Sequence, residues 1–419
     1  MSRAQHRYLM PDSALLTSQQ MVEGQVCVLS AAGIEAWIGP ESVPSGAQIE
    51  SFPGEVWAAA PCLLHAHLES YDAPSSGWPR QSFSAWVQAL LAWRHGVSER
   101  LSASESARLS LTSLSEAGCG LVVSSVSEPE ARASSPSTTC LAWSELFEPD
   151  PSLAQATWKA WVASFEAMRQ DEAIATELAV PTGVALHAPF SVSTDLAQLA
   201  FAWGAAAPTR RVSIHLGEHA EERALLAEQS GPLAELLTAR GRSLPEERWA
   251  SSVEWLEAVA PGAQANVFAV HASDLRVAEL QALQAKKVMP VFCPGTHRYF
   301  GRPQPAFAQA GLPAPLLGCD SRASNVQLDP FAELCHARDI LPEYTAQDWW
   351  SALTTRAAES LGMASRRGSL LAGREGLFLR LPDPLLRDPA ALCDSLASSY
   401  GPRPLARPGC PPPLDVCSS

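Results

Sequence analysis

Residues 63–70, LLHAHLES, set His65 and His67 two positions apart at the end of a short apolar run. A strand turns residues i and i+2 to the same side, so both imidazoles can face one way. Such a pair defines a metal site only if further ligands recur at strand intervals. Outward from it, the run AAAPCLLHAH (58–67) is the first of a series of short apolar runs: CGLVVSSVS, TTCLAWSEL, GVALHA, RVSIHLGE, NVFAVHA, VMPVFCP and PLLGCD. Helical patterning lies between them. It is seen in SFSAWVQALLAWRHG, SASESARLSLTSLSEAG and LAQATWKAWVASFEAMRQDEAIATEL. It returns in TDLAQLAFAWGAA, with Thr194 as N-cap, in DLRVAELQALQAKK, capped by Asp274, and in DPFAELCHARDIL. A polar stretch, 219–262, holds one or two more helices, and AQDWWSALTTRAAESLG an extra one. Strands alternating with helices over about 58–341 predict a parallel α/β fold, and eight of them predict a closed (β/α)8 TIM barrel rather than an open doubly wound sheet.

In such a barrel the C-terminal strand ends converge on one face. His65 and His67 end the first strand, His187 the fourth, His215 the fifth, His271 the sixth and Asp320 the eighth. Imidazoles with one carboxylate suit a divalent metal, zinc or ferrous iron, and leave a position for water. Glu218, three residues after His215, stands where a carboxylate can take a proton from a water and return it. Glu221 and Glu222 read as a solvated helix start. His95 and His336 read as helix-surface residues; His219 and His297 lie in loops within reach of a substrate. Trp86 and Trp93 follow helical spacing and read as core.

The chain has 419 residues, 47% hydrophobic and 18% charged, enough for a large core. Its net charge of −14 disfavours nucleic acid and anionic membrane as partners and leaves a small-molecule substrate. With no signal-type segment and no membrane span, the expectation is a cytoplasmic protein. The ten cysteines form no CxxC pair. Cys62, Cys119, Cys140, Cys293 and Cys319 read as buried thiols, while Cys410 and Cys417 lie in the tail. Residues 1–57 read as strands and turns, 58–364 as the barrel, 365–381 (within RRGSLLAGREGLFLRLP) as strands returning to the N-terminal ones, and 382–419 as a Pro-rich tail on the surface or across the partner of a homodimer.

The segments APCLLHAHLE, HAPFSVS, IHLGE, VHASDL, VFCPGTHRYFG and LGCDSRASN resemble, in order and spacing, the amidohydrolase superfamily. Within it they resemble the deaminase and chlorohydrolase branch, with aminodeoxyfutalosine deaminase-like and adenosine or S-adenosylhomocysteine deaminase-like members. The resemblance implies a TIM barrel with a small β-sandwich domain built from both chain ends. It implies one metal held by His65, His67, His215 and Asp320, a substrate contact at His187, Glu218 as proton shuttle and His271 orienting the water or leaving group. Relatives carry an Arg where this chain has Gly295. The implied reaction is hydrolytic deamination of an aminopurine nucleoside or related amino-heterocycle by a metal-activated water, with release of ammonia. The alternatives are hydrolysis of a cyclic amide or chlorinated heterocycle, and a barrel that binds a ligand without turnover. Rim positions expected to meet the substrate are Glu69, Glu145, Phe190, Ser191, His297, Arg298, Tyr299, Ser321 and Asn325.

Overall fold

The computed structural model describes residues 6–74, 76–96, 100–128, 132–135, 137–170, 181–245, 247–262, 264–382, 388–396 and 405–406. Cys410, Cys417 and most of the Pro-rich tail lie outside the described residues. The chain opens with β1 (Arg7–Thr17), β2 (Gln20–Glu23), β3 (Val26–Ser30), β4 (Gly33–Ile38) and β5 (Ile49–Ala59). The barrel strands are β6 (Cys62–His67), β7 (Leu121–Val126), β8 (Thr139–Leu146), β9 (Thr182–Leu186), β10 (Arg210–Leu216), β11 (Val267–His271) and β12 (Met289–Phe292). After them come β13 (Leu316–Leu317), β14 (Asp320–Ser321), β15 (Phe378–Leu381) and β16 (Leu405–Ala406).

Strands β6 to β12 pair in chain order, each parallel to the next. The ring closes through 316–321. There β13 pairs with β12, and β14 pairs with β6 on the other side. Between them Gly318 N–H donates to the Phe292 carbonyl at 2.9 Å, and Cys319 N–H to the His65 carbonyl at 2.9 Å. Residues 316–321 thus act as one eighth strand that changes partner midway. Burial on both faces explains the unbroken apolar runs: every residue of LVVSSV and VFAVH is buried.

The second sheet is mixed, in the order β16-β15-β5-β1-β3-β4, with β2 on β1. It joins both ends of the chain over a core that includes Leu9, Leu16, Ile34, Trp57, Leu370 and Phe378. AAAPCLLHAH, read as one strand, divides at Ala60–Pro61, its first residues completing β5. RRGSLLAGREGLFLRLP supplies one returning strand, β15. Within the tail, the helix Pro389–Leu396 buries Leu392, Cys393 and Leu396, and β16 extends the sheet.

Several local expectations change. The helix Thr194–Ala205 has Ser193, not Thr194, at its N-cap. The helix Val277–Ala285 starts at Arg276, and Asp274 instead pairs with Arg223 at 3.2 Å. The stretch 219–262 holds three helices, Ala220–Glu228, Pro232–Ala239 and Ser252–Val259. AQDWWSALTTRAAESLG breaks at Thr354 into Ala346–Leu353 and Thr355–Ser360.

Candidate metal centre

The first barrel strand carries a register shift between Leu63 and Ala66, beside the histidine pair. Bulges of this kind re-aim side chains next to functional sites. Nε2 of His215 lies 3.2 Å from Nε2 of His65 and 3.3 Å from Nε2 of His67. Oδ1 of Asp320 lies 3.7 Å from the first of these rings and 3.8 Å from the second. His215 Nδ1–H donates to the His187 carbonyl at 2.7 Å, so its Nε2 presents a lone pair to the other two rings. Converging lone pairs and a carboxylate repel one another unless a cation sits among them. Ligands at about 2.0–2.1 Å around a tetrahedral ion stand about 3.3–3.4 Å apart. His215 stands at about that spacing from the other two rings and Asp320 Oδ1 a few tenths of an ångström beyond it, an arrangement that suits a divalent ion.

A second layer fixes these donors. Oδ2 of Asp320 accepts from Thr296 Oγ1 at 2.9 Å and Ser324 Oγ at 2.7 Å, which leaves Oδ1 to the histidines. The backbone is strained here: His271 and Asp320 have φ of 69° and 56°. For residues other than glycine this costs about 1–2 kcal/mol each, kept only where the surroundings demand it. Burial pushes His65, His67, His187 and His271 down to about 4, so the rings are neutral and can offer lone pairs. Asp320 is held well below the usual carboxylate range: burial opposes ionisation, but the nearby imidazoles of His65, His271 and His67 outweigh it.

Glu218 stands next to the cluster. Its Oε2 lies 3.8 Å from His271 Nε2, and its Oε1 accepts from Arg302 Nη2 at 3.1 Å. Burial pushes its carboxyl up, but His271 and Arg302 prevail and hold it at about 2. Glu221 and Glu222 are not a solvated helix start. Glu222 is buried and accepts from the backbone N–H of Gly217 at 3.0 Å and of Glu218 at 3.1 Å. Glu221 accepts from the N–H groups of Phe83 and Ser84, at 2.9 and 3.0 Å, and so caps the helix Phe83–Gly96.

A cavity of about 450 Å³ opens over the centre. His67, Glu145, His187, Phe190, His215, Glu218, His271, Asp320 and Ser321 line it, with Phe83, Trp86, Val87 and Leu90 on its apolar wall. Trp86 is thus both core and wall, its indole N–H donating to the Ala323 carbonyl at 3.0 Å. Glu145 Oε2 accepts from Ser127 Oγ at 2.8 Å, while its buried Oε1 lies 3.9 Å from His215 Nδ1 and has no hydrogen-bond partner among the described residues. His187 Nδ1 meets Ser191 Oγ at 2.6 Å. His95, read as helix surface, lies at the cavity's rim.

Other rim expectations lie off the cavity. Glu69 is buried and accepts from Ser127 N–H and from Arg94. Asn325 donates to Glu333 at 2.5 Å and to the Cys319 carbonyl. His297 is buried against Phe292, and Tyr299 under the Arg80 guanidinium. Arg298 is 59% exposed on the outer surface and pairs with Asp339 at 3.2 Å. Position 295 has no room for a side chain, since a Cβ there would stand 2.4 Å from Asn325 Nδ2. Sequence reasoning missed Thr296, Ser324, Glu222 and Arg302; only their nearness to strand ends could have flagged them.

No protein-family model matches the chain, and no curated protein matches it. Its fold is similar to solved structures. Helicobacter pylori aminofutalosine deaminase superposes with a TM-score of 0.76 at 16% identity, over 96% of this chain and 98% of that one. An adenosine deaminase from Xanthomonas campestris with bound zinc gives 0.71 at 16%, over 96% and 91%. The atrazine chlorohydrolase TrzN from Arthrobacter aurescens, complexed with zinc, gives 0.72 at 15%, over 96% and 93%.

Proposed function

We propose that this chain is a member of the amidohydrolase superfamily and hydrolyses an amino-substituted heteroaromatic ring, an aminopurine nucleoside or a related compound, with release of ammonia. The observation that carries the reading is the convergence of His65, His67, His215 and Asp320 at the barrel mouth, with Glu218 one imidazole away. These four residues would hold one divalent ion, zinc or alternatively ferrous iron; two of the similar structures contain zinc. The ion supplies Lewis-acid activation of water at neutral pH.

The chain's own groups do the rest. Thr296 and Ser324 keep Asp320 facing the histidines. Glu218, already ionised, accepts a proton from the attacking water and delivers it to the ring nitrogen beside the attacked carbon. It then takes the second proton of that water from the hydroxyl of the adduct and passes it to the amine, so that the C–N bond breaks, a carbonyl forms and ammonia leaves. General acid–base transfer of this kind supplies about 10²–10⁴ in rate. His271, neutral and 3.8 Å from Glu218, orients the water and the leaving group. Glu145, with one buried oxygen that accepts no hydrogen bond from the described residues, and His187 meet the polar edge of the ring, and Phe190 and Ser321 complete that wall.

A second reading is hydrolysis of a cyclic amide or a chlorinated heterocycle. The apolar wall of Phe83, Trp86, Val87 and Leu90 favours it, since it accepts a ring without sugar hydroxyls. A panel of aminopurine nucleosides, cyclic ureides and chlorotriazines, read by ammonia release, chloride release and loss of the closed ring, separates the two. Ammonia from the first set is expected; ring opening or chloride release without ammonia would select the second reading.

A further inference from the structure

Arg302 is unlike the other arginines near the site. Its side chain is 6% exposed, and Nη2 donates to Glu218 Oε1 at 3.1 Å. Its guanidinium lies over the Phe300 ring at 4.6 Å, and Phe300 in turn packs edge-on against Trp86 on the cavity wall. Nε and Nη1 are buried and have no partner among the described residues. A buried donor left unpaired costs about 1–3 kcal/mol, so stability alone gives no reason for the cation's place.

The backbone brings it there. The short helix Pro294–Tyr299 ends where Gly301 adopts a φ of 62° and its N–H donates to the Arg298 carbonyl. Arg302 N–H then donates to the His297 carbonyl at 3.2 Å. A Cβ at 301 would meet nothing within 4 Å. It is therefore the left-handed conformation, not crowding, that favours glycine. The turn sends Arg298 outward and Arg302 inward.

We propose that Arg302 is the positioning residue of the proton shuttle, an inference that rests on the functional reading above. By holding Oε1 it assigns the two carboxylate oxygens different tasks. Oε1 is tied down, and Oε2, on the His271 side, is left to move the proton. Arg302 makes no contact with substrate in this assignment and acts only through Glu218. One consequence concerns Glu218→Gln: the amide oxygen is drawn to Arg302, and the NH2 is forced toward His271, where it can only donate.

The test compares the metal-loaded parent, Arg302→Met and Arg302→Lys by steady-state ammonia release, metal content and crystallography. Misplacing a catalytic group by about 1 Å costs about 10²-fold, so Arg302→Met is expected to lower kcat by about that factor, with KM within about threefold and bound metal unchanged. Lysine still offers one cationic donor, so Arg302→Lys should recover about tenfold of the loss. A Met variant with kcat within about threefold of the parent, a loss carried by KM, or a Lys variant no better than Met would overturn the assignment. If Arg302→Met fails to fold, Arg302→Lys decides: kcat about tenfold below the parent at unchanged KM supports the role, and parental kcat or a raised KM overturns it. A parent without turnover would count against the functional reading alone. The position of Glu218 in crystals of the Met variant then decides: a displaced carboxylate supports the role of Arg302, and an unmoved one overturns it.

Discussion

The site has two halves built by different means. One hangs on strand ends: His65, His67, His215, His271 and Asp320. The other hangs on the turns and first helical residues after strands five and seven: Glu218, Glu222, Thr296 and Arg302. In the strand half, the pleat and the closure of the barrel decide where a side chain points, and a single residue step would reverse it. In the turn half, one left-handed glycine decides which of two arginines four residues apart faces the centre. The strand ends carry the proposed ligands, and the segments that follow carry the groups that hold Asp320 and Glu218 and the proposed proton shuttle.

The largest effects should come from the strand half. His67→Ala or Asp320→Ala is expected to lose bound metal and lower turnover on the order of 10³-fold or more, read by elemental analysis and ammonia release. Next is Glu218→Gln, which should keep the metal and lower kcat by about 10²–10⁴. If it lost the metal as well, the two halves would not be separable. Thr296→Val with Ser324→Ala should weaken metal affinity about 10–100-fold, measured by chelator competition, because Asp320 loses both hydroxyl donors.

Smaller effects sharpen the turn half. Burial pushes the Glu222 carboxyl up from 4.5 to about 7. A raised folded-state value means this group's stabilisation is complete below about pH 4.5 and is lost as pH rises through about 7. Glu222→Gln should remove that slope from the thermal-unfolding midpoint measured across the window, while costing about 1 kcal/mol for a backbone hydrogen bond that the amide cannot accept. Arg298→Ala, which breaks only an exposed pair, should change stability by less than about 1 kcal/mol and leave kcat unaltered.

The same division explains what could be read in the sequence. The eight strands, their order and the convergence of the side chains at their ends were legible, because a buried parallel strand is an apolar run and its end faces the barrel mouth. The split of AAAPCLLHAH was not, since Ala58 and Ala59 suit either sheet equally well. Glu222 looked solvated because an acidic pair at a helix start usually is; here the turn after β10 folds its backbone N–H groups onto it. Arg298 reads as a rim residue because it follows strand seven closely, and nothing in the residue types foretells that the chain turns at Gly301 and brings Arg302 inward. Thr296 and Ser324 carry no pattern of their own, and their task appears only once Asp320 is placed between them.

The central claim is that four side chains from strands one, five and eight hold one cation at the barrel mouth. Anomalous diffraction from crystals of the purified protein, collected on both sides of the zinc edge with the iron edge as control, tests it most directly. The account predicts one peak within bonding distance of His65 Nε2, His67 Nε2, His215 Nε2 and Asp320 Oδ1. No peak among these atoms at full occupancy of added metal, or a peak elsewhere on the chain, would contradict it.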